Sequence, residues 1–356
     1  MRIATMPSED MDALLETGTE GDIFLLASNF TNLQRLAAEG AIAPLASEKL
    51  QQNVADMYEP FRTYVTRQGQ VYAFPCELLA QTWTVRTDIL QQFGSFLGET
   101  PTTMQAYIAQ MQQWYNTAIS VSSEYSFAEL NEPAALLENT VTQLVLAYLS
   151  EFYQTEETKT LFRDFNTPDF AAALDSLNFL KVAAFQQESA WNAAAWGEKS
   201  GSLYRIFGFT PVLVALPENE QFMQMPAFAE EGTPNVLTYL QFFVIRAACP
   251  QQTLANEFLE AVSAALSETP EAFELYEQTE ALTYDGVSEE ALQAYRAMLP
   301  SFDLHTGAII SGMFWGEESA TDILMAYLRG GLTQEEALQK LDAMQEAWVR
   351  AQPIGF

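Results

Sequence analysis

The stretch Gly21-Asp22-Ile23-Phe24-Leu25-Leu26-Ala27-Ser28, continued by Leu33-Gln34-Arg35-Leu36-Ala37-Ala38-Glu39-Gly40, decides the fold class. Asp22 to Leu26 is a continuous apolar run of strand length, the pattern of a strand buried on both faces. Leu33, Leu36 and Ala37 then share one face of a helix that Gly40 terminates as a C-cap. Upstream, Arg2 to Thr5 alternates like a short strand. A helix is expected from Glu9 to Leu15, with Gly18 and Gly21 marking the turn that follows. Strand, helix, strand and helix within forty residues indicate parallel strands joined by crossover helices, hence an α/β protein.

Farther along, Tyr64-Val65-Thr66 and Val71-Tyr72-Ala73-Phe74 flank Arg67-Gln68-Gly69-Gln70, which predicts a hairpin ended by Pro75. Another strand is expected over Thr82 to Arg86. Thr102-Thr103-Met104-Gln105 reads as a T-x-x-Q capping box opening a helix through Trp114. The chain then reads as mostly helical to about Glu188. Within that stretch, Thr167-Pro168 makes an N-cap and first-turn pair before the stripe Phe170, Leu174, Leu177 and Leu180. Thr210 to Leu216 and Leu237 to Ile245 read as strands. Pro250 to Leu266 reads as a helix with Leu254, Phe258, Val262 and Leu266 on one face. Thr269-Pro270 begins another helix. Gly330-Gly331 stops one near the end, and Thr333-Gln334-Glu335-Glu336 caps the last.

The charge balance excludes whole classes of function. Forty-seven acidic against 16 basic residues give a net charge of −31. Such a chain repels nucleic-acid phosphates and anionic membrane surfaces. With 49% hydrophobic and 12% aromatic residues it is nevertheless rich enough to fold around a core. Its single histidine, His305, rules out a paired-histidine metal site. No G-x-S-x-G elbow accompanies it. Cys76 and Cys249 are too far apart for a C-x-x-C motif. They are two buried thiols or one disulfide, with free thiols favoured. No phosphate-cradling glycine motif occurs. The adjacent pairs Glu317-Glu318 and Glu335-Glu336 point about 100° apart on a helix, so they read as solvated faces. No metal and no cofactor is expected.

In their order, four stretches resemble the extracellular solute-binding proteins of ABC importers, family 1, which include many sugar binders. Gly21 to Leu26 with Leu36-Ala37-Ala38-Glu39-Gly40-Ala41-Ile42-Ala43-Pro44-Leu45 is similar to that family's second strand and its L-A-E-K-G-x-L-x-P-L helix. Gly69-Gln70-Val71-Tyr72-Ala73-Phe74-Pro75 is similar to G-K-x-Y-G-x-P. Phe243-Val244-Ile245 with Ala255-Asn256-Glu257-Phe258-Leu259 resembles the return strand and A-x-x-F-L helix. Leu328 to Leu338 resembles the G-x-x-S-x-E-E-A-L ending. Two departures stand out. The chain opens at what resembles the family's second strand, with no counterpart of the first strand–helix unit. Val85-Arg86 also stands where the family often has Tyr-Asn.

The resemblance implies a two-lobed, periplasmic-binding-protein-like (type II) α/β fold, helix-rich, with a hinge of crossing strands at Thr82–Arg86 and Leu237–Ile245. Lobe one would be residues 1–84 plus 243–300, and lobe two 85–242 plus 301–356. It implies a binding component rather than an enzyme. That component captures a carbohydrate or related small polar solute between its lobes and hands it to the transmembrane permease subunits. A monomer is expected, on the extracellular face of the membrane or in the periplasm, with a lipid anchor in a segment upstream. The alternatives are a degenerate homologue serving as an interaction module and a glycoside-active enzyme using dispersed carboxylates.

A sugar site calls for aromatic platforms ringed by polar groups. Ser28, Asn29 and Phe30 follow the carboxyl end of a strand, where open α/β sheets bind ligands. Glu77 lies just beyond Pro75 on the way to the hinge. Trp83 sits in an apolar strand, and Trp191 and Trp196 lie in a small-residue segment between helices. Trp315 matches a place where the family stacks an aromatic ring on its ligand.

Overall fold

The computed structural model describes residues 3–5, 21–28, 33–153, 161–186, 199–210, 219–232, 236–266 and 318–351, with short stretches between them such as 302–304. A nine-stranded sheet organises these residues. At one edge β1 (Ile3–Thr5) lies parallel to β2 (Ile23–Ala27), the parallel pair expected from the opening pattern. Short β3 (Ile42–Ala43) follows, and β4 (Thr66–Arg67) and β5 (Gln70–Val71) form a separate hairpin. The 14-residue β6 (Ala73–Arg86) is the spine of the sheet. Beyond it come β7 (Tyr125–Ala128), β8 (Gly201–Thr210), β9 (Glu220–Met223), β10 (Val236–Arg246) and β11 (Phe302–Asp303). The order across the sheet is β1-β2-β10-β6-β8-β7, with β3 and β11 on β10 and β9 on β6.

Register explains how one sheet serves two lobes. Residues Ala73 to Ala80 of β6 pair antiparallel with Val244 to Thr238 of β10. From Thr82 onward the same strand pairs with β8, and from Trp83 also with β9. The side chains divide at the same place. Phe74, Leu78 and Ala80 belong to one buried cluster with Ile23, Phe24, Leu240 and Phe242. Trp83 and Val85 belong to a second with Tyr107, Trp114, Phe127, Leu144 and Tyr204. Both β6 and β10 therefore cross between lobes. The ladder from β6 to β8 slips between Ala80 and Thr82, where Gly208 and Phe209 of β8 stand opposite Gln81 alone, so the extra residue of the bulge lies on β8. A bulge bends and twists a strand locally, as a crossing point between two cores requires.

The second core is rich in aromatic pairs. Trp83 meets Tyr107 edge-on at 5.1 Å, and Tyr107 in turn packs on Phe127 and Tyr204. Such pairs add about 0.5–1.5 kcal/mol each beyond their area burial. Helix ends are fixed largely as local chemistry demands. Thr167 Oγ1 accepts from the Phe170 N–H ahead of Pro168, and the stripe Phe170, Leu174, Leu177 and Leu180 is buried. Thr333 and Glu336 bond reciprocally at the start of Gln334–Ala351. Gly330 adopts φ +86 after the helix Ala320–Leu328, a conformation that costs an L side chain.

Several local expectations need correction. Tyr64 and Val65 end the helix Glu59–Val65, so the hairpin is only the two-residue pair β4 and β5. Pro75 does not end a strand but lies inside β6. It is tolerated because the ladder to β10 slips between Gln241 and Phe242, where Cys76 is the extra residue. The cap of Met104–Tyr115 is Thr103 rather than Thr102. β7 interrupts the stretch read as helical. The strand expected at Thr210 to Leu216 falls on residues 211–215, outside the described residues, apart from Thr210 at the end of β8 and Leu216.

The helix Gln252–Leu266 buries Ala255, Asn256, Leu259 and Ser263, while Leu254 is exposed. Polar contacts turn it by about one residue. Asn256 Oδ1 accepts from the Ala46 and Ser47 N–H groups, and Asn53 Nδ2 donates to Ser263 Oγ. Cys76 and Cys249 are both free and buried. The helix expected at Glu9 to Leu15, the Thr269-Pro270 start and His305 lie outside the described residues.

Candidate ligand-binding site

The parallel strands β7 and β8 set the direction of the site. β7 pairs with the start of β8, Tyr125 opposite Gly201 and Ala128 opposite Tyr204. β8 then continues to Thr210, which pairs with Ala80 at the crossing point. The carboxyl end of β7 thus points toward the hinge. There Glu129 to Glu132 form a four-residue loop into the helix Pro133–Phe152, whose Ala135 N–H is capped by the Glu132 carboxylate at 3.3 Å. Loops at the carboxyl ends of parallel strands are where α/β sheets hold ligands.

An open pocket of about 610 Å³ lies at this loop, lined on one side by Asn131 and Trp196 and on the other by Arg86, Arg205 and Glu220. The first wall is a fixed aromatic surface. Trp196 stacks on Tyr115 with ring centroids 3.9 Å apart and planes 12° from parallel. Tyr115, buried at the end of Met104–Tyr115, donates its hydroxyl to Asn131 Oδ1 at 2.8 Å. Asn131 Nδ2 reaches the Ala195 carbonyl at 3.4 Å, tying the loop to the residue before Trp196. Burial pushes the Tyr115 phenol well above its ordinary range, so it acts only as a neutral donor.

The second wall is a chain of paired charges across three strands. Glu220, at the start of β9, is buried and accepts from the Thr84 hydroxyl of β6. Arg205 of β8 donates to both Glu220 carboxylate oxygens, at 3.2 and 3.4 Å, and lies 3.7 Å from Glu129. Arg86 holds Asp88 through two bonds of 2.8 and 2.6 Å. That hydrogen bonding keeps the Asp88 carboxyl below the usual carboxylate range and raises the Arg86 guanidinium. Lys199 donates to the Ser120 and Ser123 carbonyls, both at 2.9 Å. No group of three or more His, Cys, Asp or Glu residues suited to a metal occurs among the described residues.

Residues 5–276 match the model of the bacterial extracellular solute-binding protein family, which is 272 of the 356 residues. The chain belongs to that family. A search of curated proteins finds no match. Among solved structures, the fold is similar to an ABC transporter solute-binding protein from Agrobacterium vitis S4 with bound D-mannitol. That likeness has a TM-score of 0.57 at 14% identity over 96% of this chain and 88% of the other. A second similar structure comes from work on xylan utilization by the thermophilic bacterium Caldanaerobius polysaccharolyticus. Its TM-score is 0.58 at 14% identity, covering 94% and 88%. At that identity the likeness concerns the two-lobed fold. No helix among the described residues is long and apolar enough to cross a membrane.

Within this solute-binding protein the anticipated site residues separate. Trp196 lines the pocket. Trp83 is 1% exposed and serves the core of its lobe. Ser28 is buried, and its backbone N–H donates to the Leu240 carbonyl while its Oγ accepts from the Leu240 N–H, both at 2.9 Å. It clasps β2 to β10 at the crossing. Glu77 is half-buried on β6 opposite Gln241, where its charge adds to the burial that raises the neighbouring Cys76 thiol. Asn29, Phe30, Trp191 and Trp315 lie outside the described residues. Tyr115, Asn131, Arg205 and Glu220 were not anticipated. Arg205 had a signal of its own, since a lone cation inside the run Leu203-Tyr204-Arg205-Ile206-Phe207 needs a partner.

Proposed function

We propose that this protein is the extracellular receptor of an ABC importer and that its ligand is a carbohydrate or related polyol. The observation that carries the reading is the Trp196 ring, locked flat by Tyr115 and facing a pocket of paired charges. The C–H face of a sugar packs on an aromatic plane, and its hydroxyls exchange hydrogen bonds with amides and ion pairs. The D-mannitol bound to the Agrobacterium vitis protein and the xylan setting of the second relative favour the same ligand class.

Ligand bridging the lobes favours the closed state as a population shift, with β6 and β10 as the hinge. The lobes divide as residues 1–84 plus 243–300 and 85–242 plus 301–356. The buried clusters support switches a few residues earlier on β6 and β10 and a few later after Leu304. A lipid anchor upstream holds the receptor at the membrane.

Thermal unfolding across a panel of mono-, oligosaccharides and polyols tests this. Ligand at 100 times its Kd adds about 2.7 kcal/mol, a rise of about 3–4 °C for a chain of this length. Trp196→Ala is expected to abolish that rise while the unliganded melt stays cooperative. A panel that leaves the melt unmoved, or a variant that keeps the full shift, would overturn the reading.

A further inference from the structure

We infer that the pocket selects uncharged glycans and excludes acidic ones such as uronates. The inference rests on the carbohydrate reading above and goes further by naming the ligand's charge. Each cation that lines the pocket among the described residues is already committed. Arg86 is held bidentately by Asp88, and Lys199 by two backbone carbonyls. Arg205 is shared between Glu220 and Glu129.

A ligand carboxylate recruiting Arg205 would strip the counter-charge from Glu220, whose side chain is only 2% exposed. A buried carboxylate without its partner is among the costliest arrangements a protein meets. Lys199 would have to leave Ser120 and Ser123, the carbonyls that fix the turn before β7. Glu129 and Glu132, meanwhile, stand exposed on the β7 loop and repel an incoming anion. The lining balances Glu129, Glu132 and Glu220 against Arg86, Lys199 and Arg205, Asp88 behind Arg86 adds a further carboxylate, and the chain's net −31 extends the same sign beyond the pocket. A neutral sugar meets none of these costs, because hydroxyls add hydrogen bonds to ion pairs without breaking them.

Pairs of like size that differ by a carboxylate in place of a CH2OH group provide the test: glucose with glucuronate, and mannitol with mannonate. Titration calorimetry at pH 7 and low salt is expected to show the acid of a bound pair at least tenfold weaker than its neutral partner. Glu132→Gln keeps an oxygen for the Ala135 cap and is expected to narrow that ratio, as is raising the salt to 0.5 M. An acid that binds as tightly as its neutral partner overturns the inference and leaves the carbohydrate reading standing. So does a ratio that neither Glu132→Gln nor salt changes. If no member of any pair binds, the carbohydrate reading itself falls and takes the inference with it.

Discussion

Replacing Trp83 by phenylalanine and by alanine separates its packing from its polarity, and the two outcomes should differ sharply. Trp83 is 1% exposed, edge-on to Tyr107 at 5.1 Å, just past the point where the ladder to β8 slips. Its indole Nε1 is buried without a hydrogen-bond acceptor. Truncation to alanine removes the ring and leaves a cavity, a change that costs about 3–5 kcal/mol. Phenylalanine keeps most of the ring and the contact with Tyr107. It also relieves the desolvation of an unpaired N–H, worth about 1–3 kcal/mol, which offsets a smaller packing loss of similar size.

Unfolding entropy of about 2.1 cal/mol/K per residue over this chain makes 1 kcal/mol correspond to about 1.3 °C. Scanning calorimetry should therefore find Trp83→Ala melting about 4–7 °C below the parent and Trp83→Phe within about 2 °C of it. Trp83→Phe should also retain ligand affinity, in contrast to Trp196→Ala. A Trp83→Phe protein as unstable as Trp83→Ala would refute the assignment of an unpaired indole. A Trp83→Phe protein that folds normally but no longer binds would refute its placement in the core.

Asp342 carries a pH signature. Burial, with a contribution from neighbouring Asp164, pushes its carboxyl up to about 6 although it accepts from the Phe165 N–H. Against an unfolded value of about 3.9, the native state binds more protons between about pH 4 and 6, so stability falls as pH rises through that window. Urea unfolding at pH 4.5 and 7 should show a smaller decline for Asp342→Asn than for the parent, and equal declines would contradict the shift.

Glu151 accepts from the Phe228 and Ala229 N–H groups, and a Cβ added at Gly232 would collide with its carboxylate. Gly232→Ala should cost about 1–2 kcal/mol in chemical denaturation, but nothing further in a Glu151→Ala background. Additive losses would show that the two do not meet. Cys76 and Cys249 are buried, with the Cys76 thiol pushed up to about 12, so a thiol reagent at pH 8 should label neither until denaturant is added. Fast labelling of the folded protein would count against this packing.

Much was legible from local pattern. The apolar run at Ile23–Ala27, the helix ended by Gly40, the Thr167 cap with its stripe and the reciprocal Thr333–Glu336 bonds depend on residues within a few positions of one another. Local sequence is enough there, because a helix end is satisfied by its own first turn and a doubly buried strand must be apolar throughout. The parallel opening and the alternation of strands and helices followed, and with them the resemblance to a two-lobed binding fold.

The site was legible only in part. Trp83 and Trp196 are the same residue type, and their fates diverge through partners distant in sequence. Tyr107 closes over one, and Tyr115 with Asn131 props the other at a pocket. The Arg205–Glu220–Thr84 network exists because β8 and β9 flank β6 in one particular register, which no periodicity within a single strand specifies. The buried face of Gln252–Leu266 was likewise chosen by Ala46, Ser47 and Asn53 rather than by its own apolar stripe. Local pattern was enough for the opening parallel unit, the capped helices and the acidic α/β character of the chain, but not for β7 or for the full length of β6. Tertiary structure alone decided which rings are core, which charges are paired and where the pocket opens, because each of those depends on groups brought together from separate strands.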